Sequence, residues 1–185
     1  MNIIETSIPG VLIIEPKVFG DSRGFFLESY NRFRYEEHGI DDFFVQDNHS
    51  RSKRGVLRGL HCQREFSQAK LVSVARGQVF DVAVDIRLGS PTFGKHVSVI
   101  LDDENHRQFY VPRGFAHGFC VLSKEADFNY KCSDYYHPES EIGLRYDDIE
   151  LNINWPIETP LVSEKDGKYP TLATIDRNLL PKYEK

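Results

Sequence analysis

The chain has 185 residues, 40% of them hydrophobic, and a formal net charge of −5 with its seven histidines counted neutral. That length suits one domain spanning 1–185 with a real core, and the acidic balance argues against a general nucleic-acid-binding surface while leaving room for a local basic pocket. No run of about 18 apolar residues occurs, so no membrane span is expected, and Met1 to Gly10 lacks the basic-then-apolar pattern of a secretory signal.

Strand signals dominate in chain order. Val11–Glu15 is a β-rich run ending at Pro16, and Phe25–Tyr30 follows the turn-like Gly20-Asp-Ser-Arg-Gly24. Asn31 to His38 reads as the one clear helix, with Asn31 as N-cap and Gly39 as its stop. Further strands are expected at Phe43–Asp47, Val56–His61, Lys70–Ala75, Val79–Ile86, Lys95–Leu101, Phe109–Val111, Gly118–Leu122 and Asp127–Cys132, separated by regular glycine and proline turns. In Val79–Ile86 one face carries Phe80, Val82, Val84 and Ile86. The other carries Asp81, Ala83 and Asp85, and these acids would either be solvated or line a cavity. The tail from Trp155, with four prolines, is expected to be mostly irregular with one short helix. Many short strands at close spacing indicate an all-β sandwich or barrel.

Arg54-Gly-Val-Leu-Arg-Gly-Leu-His61 is the most informative segment. Arginine forks suit phosphate, and a histidine moves protons near neutral pH. Together they suggest an anionic substrate undergoing proton transfer, against the plain alternative of a strand with solvated arginines and a packed histidine. Regular alternation puts Arg58 and His61 on opposite faces. A bulge at Gly59 would bring both to one ligand. Pro112-Arg-Gly-Phe-Ala-His117-Gly-Phe119 presents a second histidine from another strand. Barrels of the cupin type often hold a metal through an HxH pair, but here Gly59 and Gln63 flank His61, so no metal is expected. Tyr130-Lys131 and Tyr135-Tyr136 supply phenols that could act as acids or simply pack. Lys70 could face the cavity or solvent, and Ser163-Glu-Lys-Asp166 could orient a histidine or form a polar turn. Cys62, Cys120 and Cys132 have no paired spacing and fit packed thiols in a reducing cytoplasm. No dinucleotide fingerprint, phosphate loop or nucleophile elbow occurs, so proton transfer without a cofactor is the most economical chemistry.

Nine ordered segments then carry a resemblance. They are Phe19-Gly-Asp-Ser-Arg-Gly-Phe-Phe26, Val45-Gln-Asp-Asn-His-Ser50, Gly55-Val-Leu-Arg-Gly-Leu-His61, Gln68-Ala-Lys-Leu71, Phe80-Asp-Val-Ala-Val-Asp-Ile-Arg87, Ser90-Pro-Thr-Phe-Gly94, the segment at Pro112–Phe119, Tyr130-Lys131 and Ser163-Glu-Lys-Asp166. Nearly end to end, the chain resembles the dTDP-4-dehydrorhamnose 3,5-epimerase family. The resemblance implies a cupin-like jelly-roll β-barrel with a few short helices, and cofactor-independent inversion of C3 and C5 in a dTDP-4-keto-6-deoxy sugar. It implies His61 as general base oriented by Asp166, Tyr130 as general acid, and Lys70 near the 4-keto oxygen. Arg23, Glu28, Gln46, Asp47, Asn48, Arg58, His117, Glu141 and Lys165 match substrate-binding positions, and Tyr135 an aromatic near the nucleotide. It further implies a cytoplasmic homodimer with exchanged N-terminal strands. Cys62 stands where such enzymes more often carry an aromatic. Enzymes inverting C3 or C5 alone, ketoisomerases and a non-catalytic sugar-nucleotide-binding module are the rival readings on the same scaffold.

Overall fold

Two antiparallel sheets face one another, and apolar residues from both inner faces form the central core. A computed structural model describes residues 1–183. In chain order the strands are β1 (Asn2–Glu5), β2 (Leu12–Glu15), β3 (Val18–Asp21), β4 (Gly24–Leu27), β5 (Gln46–Lys53), β6 (Leu57–Gln63) and β7 (Lys70–Arg76). They continue with β8 (Gln78–Asp85), β9 (His96–Asp102), β10 (Gln108–Val111), β11 (Phe115–Val121), β12 (Glu125–Cys132) and β13 (Glu141–Gly143). One sheet runs β1-β2-β10-β7-β12-β5, the other β13-β6-β11-β8-β9, and β3 pairs only with β4. This is the expected all-β jelly roll.

The second sheet is buried on two sides and the first on its inner face and part of its outer one, which explains their long apolar runs. Val72, Val74, Phe109 and Phe128 of the first sheet meet Val79, Ala83, Leu101, Phe119 and Val121 of the second in the central core. The outer face of the second sheet, with Leu60, Val82 and Val84, is roofed by tail residues Leu144, Leu151, Leu172, Ile175 and Leu180. Ile14, Leu71 and Tyr110 on the outer face of the first sheet lie beneath Tyr35 and Ile40. The apolar face of Val79–Ile86 is therefore a second core surface. Asp81 and Asp85 face inward and are fully buried rather than solvated.

Several boundaries differ from expectation. The Phe25–Tyr30 strand stops at Leu27, because its only partner among the described residues is the four-residue β3. The strand expected at Phe43–Asp47 starts at Gln46 and runs on to Lys53, where it borders β12. β1, β3 and β13, at four, four and three residues, had escaped notice. The helix α1 spans only Arg32–Glu36, and Asn31 is its N-cap residue, as expected, but places its amide on Glu28 Oε2 at 3.2 Å and makes no side-chain capping bond. Gly39 stops that segment with φ +78°. The tail holds single 3₁₀ turns at Asp166–Lys168 and Arg177–Leu179.

The crossing of β6 and β11 positions everything that follows. A Cβ on Gly118 would lie 2.7 Å from the Arg58 carbonyl oxygen and 3.0 Å from Gly59 Cα. Both obstacles are backbone, so they cannot swing aside. Gly118→Ala should destabilise the protein by about 1–3 kcal/mol, the usual cost of overpacking a tight interior. Urea unfolding measures this, and an unchanged midpoint would show that the crossing tolerates a methyl group.

Candidate active site

Strand β6 carries one residue more than its partner β11 across this crossing. His61 pairs with His117 and Arg58 with Phe119, so three steps on β6 match two on β11. The extra residue breaks the alternation, as a bulge does. Gly59, at φ +128°, takes the conformation that other residues avoid, and a Cβ on it would meet Gly118 Cα at 2.5 Å. As a result Arg58 and His61 both face one cavity of about 680 Å³. That is the size of a small-ligand site.

The chain's tail completes the wall. Leu161 bridges to Val56 in parallel, with the Leu57 amide donating to the Leu161 carbonyl at 2.9 Å. This lays Ser163–Asp166 alongside β6. Asp166, nearly fully buried, accepts from His61 Nε2 at 2.9 Å and from the Gly59 amide at 3.3 Å, while its own amide donates to Ser163 Oγ at 3.0 Å. Burial alone would raise the Asp166 carboxyl. The hydrogen bond and charge of His61, with the Gly59 amide, outweigh it and hold the group below the ordinary carboxylate value. With Nε2 as the donor, the lone pair of His61 sits on Nδ1. A second imidazole–carboxylate pair lies beside the first. His117 Nε2 is 2.8 Å from Asp81 Oδ1, both side chains are buried, and Asp81 Oδ2 has no hydrogen-bond partner among the described residues.

The opposite wall comes from the other sheet. Tyr130 on β12 lines the cavity, and burial pushes its phenol above the ordinary value, with the Arg58 cation opposing. It is therefore protonated at neutral pH. Lys70, the first residue of β7, is half-buried in the cavity and has no carboxylate partner among the described residues. On β5 the two-residue period sends Gln46, Asn48 and Ser50 into the cavity. Arg58 Nε donates to Ser52 Oγ at 3.1 Å. Glu141 on β13 accepts from Tyr169 at 2.6 Å and Tyr136 at 3.1 Å, and pairs with Lys165 at the rim. Burial would raise the Glu141 carboxyl, but bonds from Lys165 and Tyr169 and the His61 charge hold it low.

Of the residues singled out in the sequence, His61, Asp166, Tyr130, Lys70, Arg58, Gln46, Asn48, His117 and Glu141 all line this cavity, and Lys165 reaches its rim through Glu141. Four others do not. Arg23 and Glu28 are exposed on or just beyond the β3–β4 hairpin, bound to Asp21 and Arg34 respectively. Asp47 points to the other face of β5, where it accepts from Lys131 at 2.9 Å beside a smaller cavity of about 350 Å³. Tyr135 is exposed and contributes only its carbonyl, to Gln63 and Gln68. Its neighbour Tyr136 is the phenol that lines the cavity. Tyr169 was not anticipated as a site residue, and Asp81 only as one of two acids, with Asp85, that would either be solvated or line a cavity. Tyr169 lies in the irregular tail, where no periodicity points to it. The three cysteines are free and buried, and burial pushes the Cys62 thiol up to about 12. Among the described residues no group of three or more metal-ligating side chains converges, and no helix is long and apolar enough to cross a membrane.

Comparison with known proteins places this geometry. A family model described as dTDP-4-dehydrorhamnose 3,5-epimerase matches residues 5–174. A dTDP-4-dehydrorhamnose 3,5-epimerase from Shigella flexneri is 59% identical over 168 residues, covering 90% of this chain and 93% of the relative. A Legionella pneumophila epimerase, solved in complex with dTDP-4-keto-L-rhamnose, is 61% identical with a TM-score of 0.97, covering 100% of this chain and 99% of that one. A 3'-monoepimerase from Streptomyces bikiniensis, solved in complex with dTDP-quinovose, is 38% identical with a TM-score of 0.91, covering 96% and 92%.

The depressed Asp166 carboxyl has a consequence for stability. A carboxylate whose folded pKa lies below its unfolded value stabilises the fold above the unfolded value of about 3.9, and that contribution is lost as the pH falls through the folded value. Asp166→Asn should be less stable than wild type by about 1.5–3 kcal/mol at neutral pH, the worth of a charge-assisted hydrogen bond. The gap should narrow below about pH 4. Urea midpoints at neutral and acid pH test this, and a gap independent of pH would contradict it.

Proposed function

We propose how this cavity works from one premise: the chain belongs to the dTDP-4-dehydrorhamnose 3,5-epimerase family. Its reaction is the inversion of C3 and C5 of dTDP-4-dehydro-6-deoxy-D-glucose, giving dTDP-4-dehydro-L-rhamnose on the way to dTDP-L-rhamnose. The observation that carries our assignment of roles is the pair of opposed proton carriers. An Asp166-bound imidazole belongs to one sheet and a protonated phenol to the other, with one cavity between them.

The chemistry follows from the ketone. A carbonyl at C4 acidifies the hydrogens on both C3 and C5. His61 Nδ1 removes one of them, and the Asp166 carboxylate stabilises the imidazolium that forms. The electron pair moves to the 4-oxygen as an enolate, which the Lys70 cation, without a carboxylate partner among the described residues, stabilises inside the cavity. Tyr130 donates its proton to the same carbon from the opposite face, and the centre is inverted. The second carbon follows by the same steps. Arg58 and Lys165, with Gln46, Asn48, His117 and Glu141, hold the nucleotide diphosphate and sugar hydroxyls. Binding energy from the non-reacting part of the substrate thereby orients the sugar. Tyr136, half-exposed at the cavity, takes the aromatic place that the resemblance had given to Tyr135.

Arg23 and Glu28 enter through a homodimer in which the N-terminal strands are exchanged. The β3–β4 hairpin pairs with no other strand among the described residues, and it exposes Val18, Phe19, Phe25 and Phe26 together. An apolar surface of that kind calls for a partner. Seated on a second copy, the hairpin delivers Arg23 and Glu28 to that copy's cavity. Three free, buried thiols fit a cytoplasmic location.

The roles of base and acid are separable in D₂O. His61→Asn should abolish turnover and the exchange of C3 and C5 hydrogens, by about 10²–10⁴-fold for loss of a general base, while dTDP still binds. Tyr130→Phe keeps the base, so exchange should persist while inversion falls. Proton NMR follows both, and full exchange in His61→Asn would remove His61 from the role of base. Wild-type exchange at a single carbon would instead match a monoepimerase.

The exchanged hairpin makes a second, independent forecast. Arg23→Ala homodimers and His61→Asn homodimers should each be impaired, and unfolding and refolding them together should restore activity. One cavity of each mixed dimer then receives an intact hairpin and an intact base. No gain on mixing would mean that Arg23 serves its own chain's cavity or none.

A further inference from the structure

Gly143 has no room for a side chain. A Cβ there would lie 2.5 to 2.6 Å from three ring atoms of Tyr169. Gly143 is also the residue that pairs in register with His61. The Tyr169 ring therefore lies against the bare backbone of β13, beside the imidazole. The two ring centroids are 5.7 Å apart and the planes meet at 67°, an edge-on contact. The Tyr169 hydroxyl donates to Glu141 Oε1 at 2.6 Å, at the start of the same strand. Burial, reinforced by the bond to Glu141, pushes this phenol far above its ordinary value, so it remains a fixed donor. Tyr169 immediately follows the 3₁₀ turn Asp166–Lys168, so one short segment delivers both Asp166 and Tyr169 to His61.

A hydrogen bond to Asp166 fixes one atom of the imidazole. It leaves the ring free to tilt about the line joining Nε2 to Oδ1, and such a tilt swings Nδ1 away from the carbon whose hydrogen it takes. Contact with a rigid aromatic edge removes that freedom. We propose that Tyr169 is a positioning residue for the epimerase reaction: its ring fixes the tilt of His61, and its hydroxyl fixes the Glu141 carboxylate at the cavity rim. The proposal rests on the reading of His61 as the base. Tyr169 itself exchanges no proton with the sugar.

Two variants separate ring from hydroxyl. Tyr169→Leu removes both contacts, and Tyr169→Phe keeps the edge while losing the donor. A displacement of about 1 Å can cost about 100-fold in rate. Tyr169→Leu should therefore lower kcat and the D₂O exchange at C3 and C5 by about that factor, with KM and dTDP affinity changed no more than in Tyr169→Phe, which loses the same bond to Glu141. Tyr169→Phe should stay within about tenfold of wild type, the scale of one net hydrogen bond. A readout free of turnover accompanies these. In ¹⁵N-labelled protein the His61 Nε2–H resonance should be sharp in wild type and Tyr169→Phe and broadened in Tyr169→Leu. The inference is overturned if Tyr169→Leu keeps wild-type exchange and a sharp His61 signal. It is also overturned if dTDP affinity falls in step with kcat in both variants, which would mark a merely structural role. A wild type that does not epimerise would instead sink the reading of the activity, and the His61 resonance would still decide the positioning.

Discussion

Two glycines facing each other across β6 and β11 are the constraint on which this site depends. At that crossing the backbones approach so closely that a methyl group on either strand would overlap main-chain atoms of the other. The register slips there by one residue. The slip turns Arg58 and His61, three positions apart and thus on opposite faces of a regular strand, toward the same cavity. Without it the Arg58 guanidinium and the His61 imidazole would not line one cavity. The small residues are an architectural requirement, and their effect is chemical.

The two sheets divide the work between them. The five-stranded sheet supplies imidazoles and carboxylates through His61, His117, Asp81 and Glu141, and the tail adds Asp166. The six-stranded sheet supplies Tyr130, Lys70 and the amides of Gln46 and Asn48. Each buried acid on the histidine side is matched to a donor. Asp166 has His61 and the Gly59 amide, while Glu141 has two phenols and Lys165. Desolvation would otherwise force these carboxyls to take up protons. The lysine on the far wall has no such match among the described residues, which leaves its charge available to a bound oxyanion.

How much of this could be read in advance depended on whether the controlling interaction was local. Strand positions followed from alternation and turn residues, and β6 through β12 lie close to where the pattern put them. The short strands β1, β3 and β13 escaped because three or four residues carry too little period to register. Asn31 sits at the helix cap position as expected, yet its amide bonds back to Glu28 three residues earlier, a local alternative that cap propensity does not encode. The bulge could be named as a need, from Arg58 and His61, but only the β11 backbone shows what imposes it. Asp166 meets His61 across 105 positions of chain, through a bridge from Leu161 to Val56 that no spacing rule foresees. Tyr136 lines the cavity and Tyr135 does not, in a segment after β12 where alternation has already ended.

A catalyst with one base and one acid that inverts two carbons must restore both groups between the steps. On the proposed roles, the imidazole holds the sugar's proton after the first inversion and the phenol has lost its own. The cavity's electrostatics favour the return at the phenol. Burial that raises the Tyr130 phenol makes its phenolate a strong base that recovers a proton readily. Two carboxylates flank the imidazole, Asp166 by direct bond and Glu141 through its field, and they hold the proton on the imidazolium rather than expel it. Glu141 is joined to the half-exposed Tyr136 hydroxyl at the mouth, so that wall of the cavity stays in hydrogen-bonded contact with the surface. The same burial that keeps Tyr130 protonated as an acid therefore also drives its recovery.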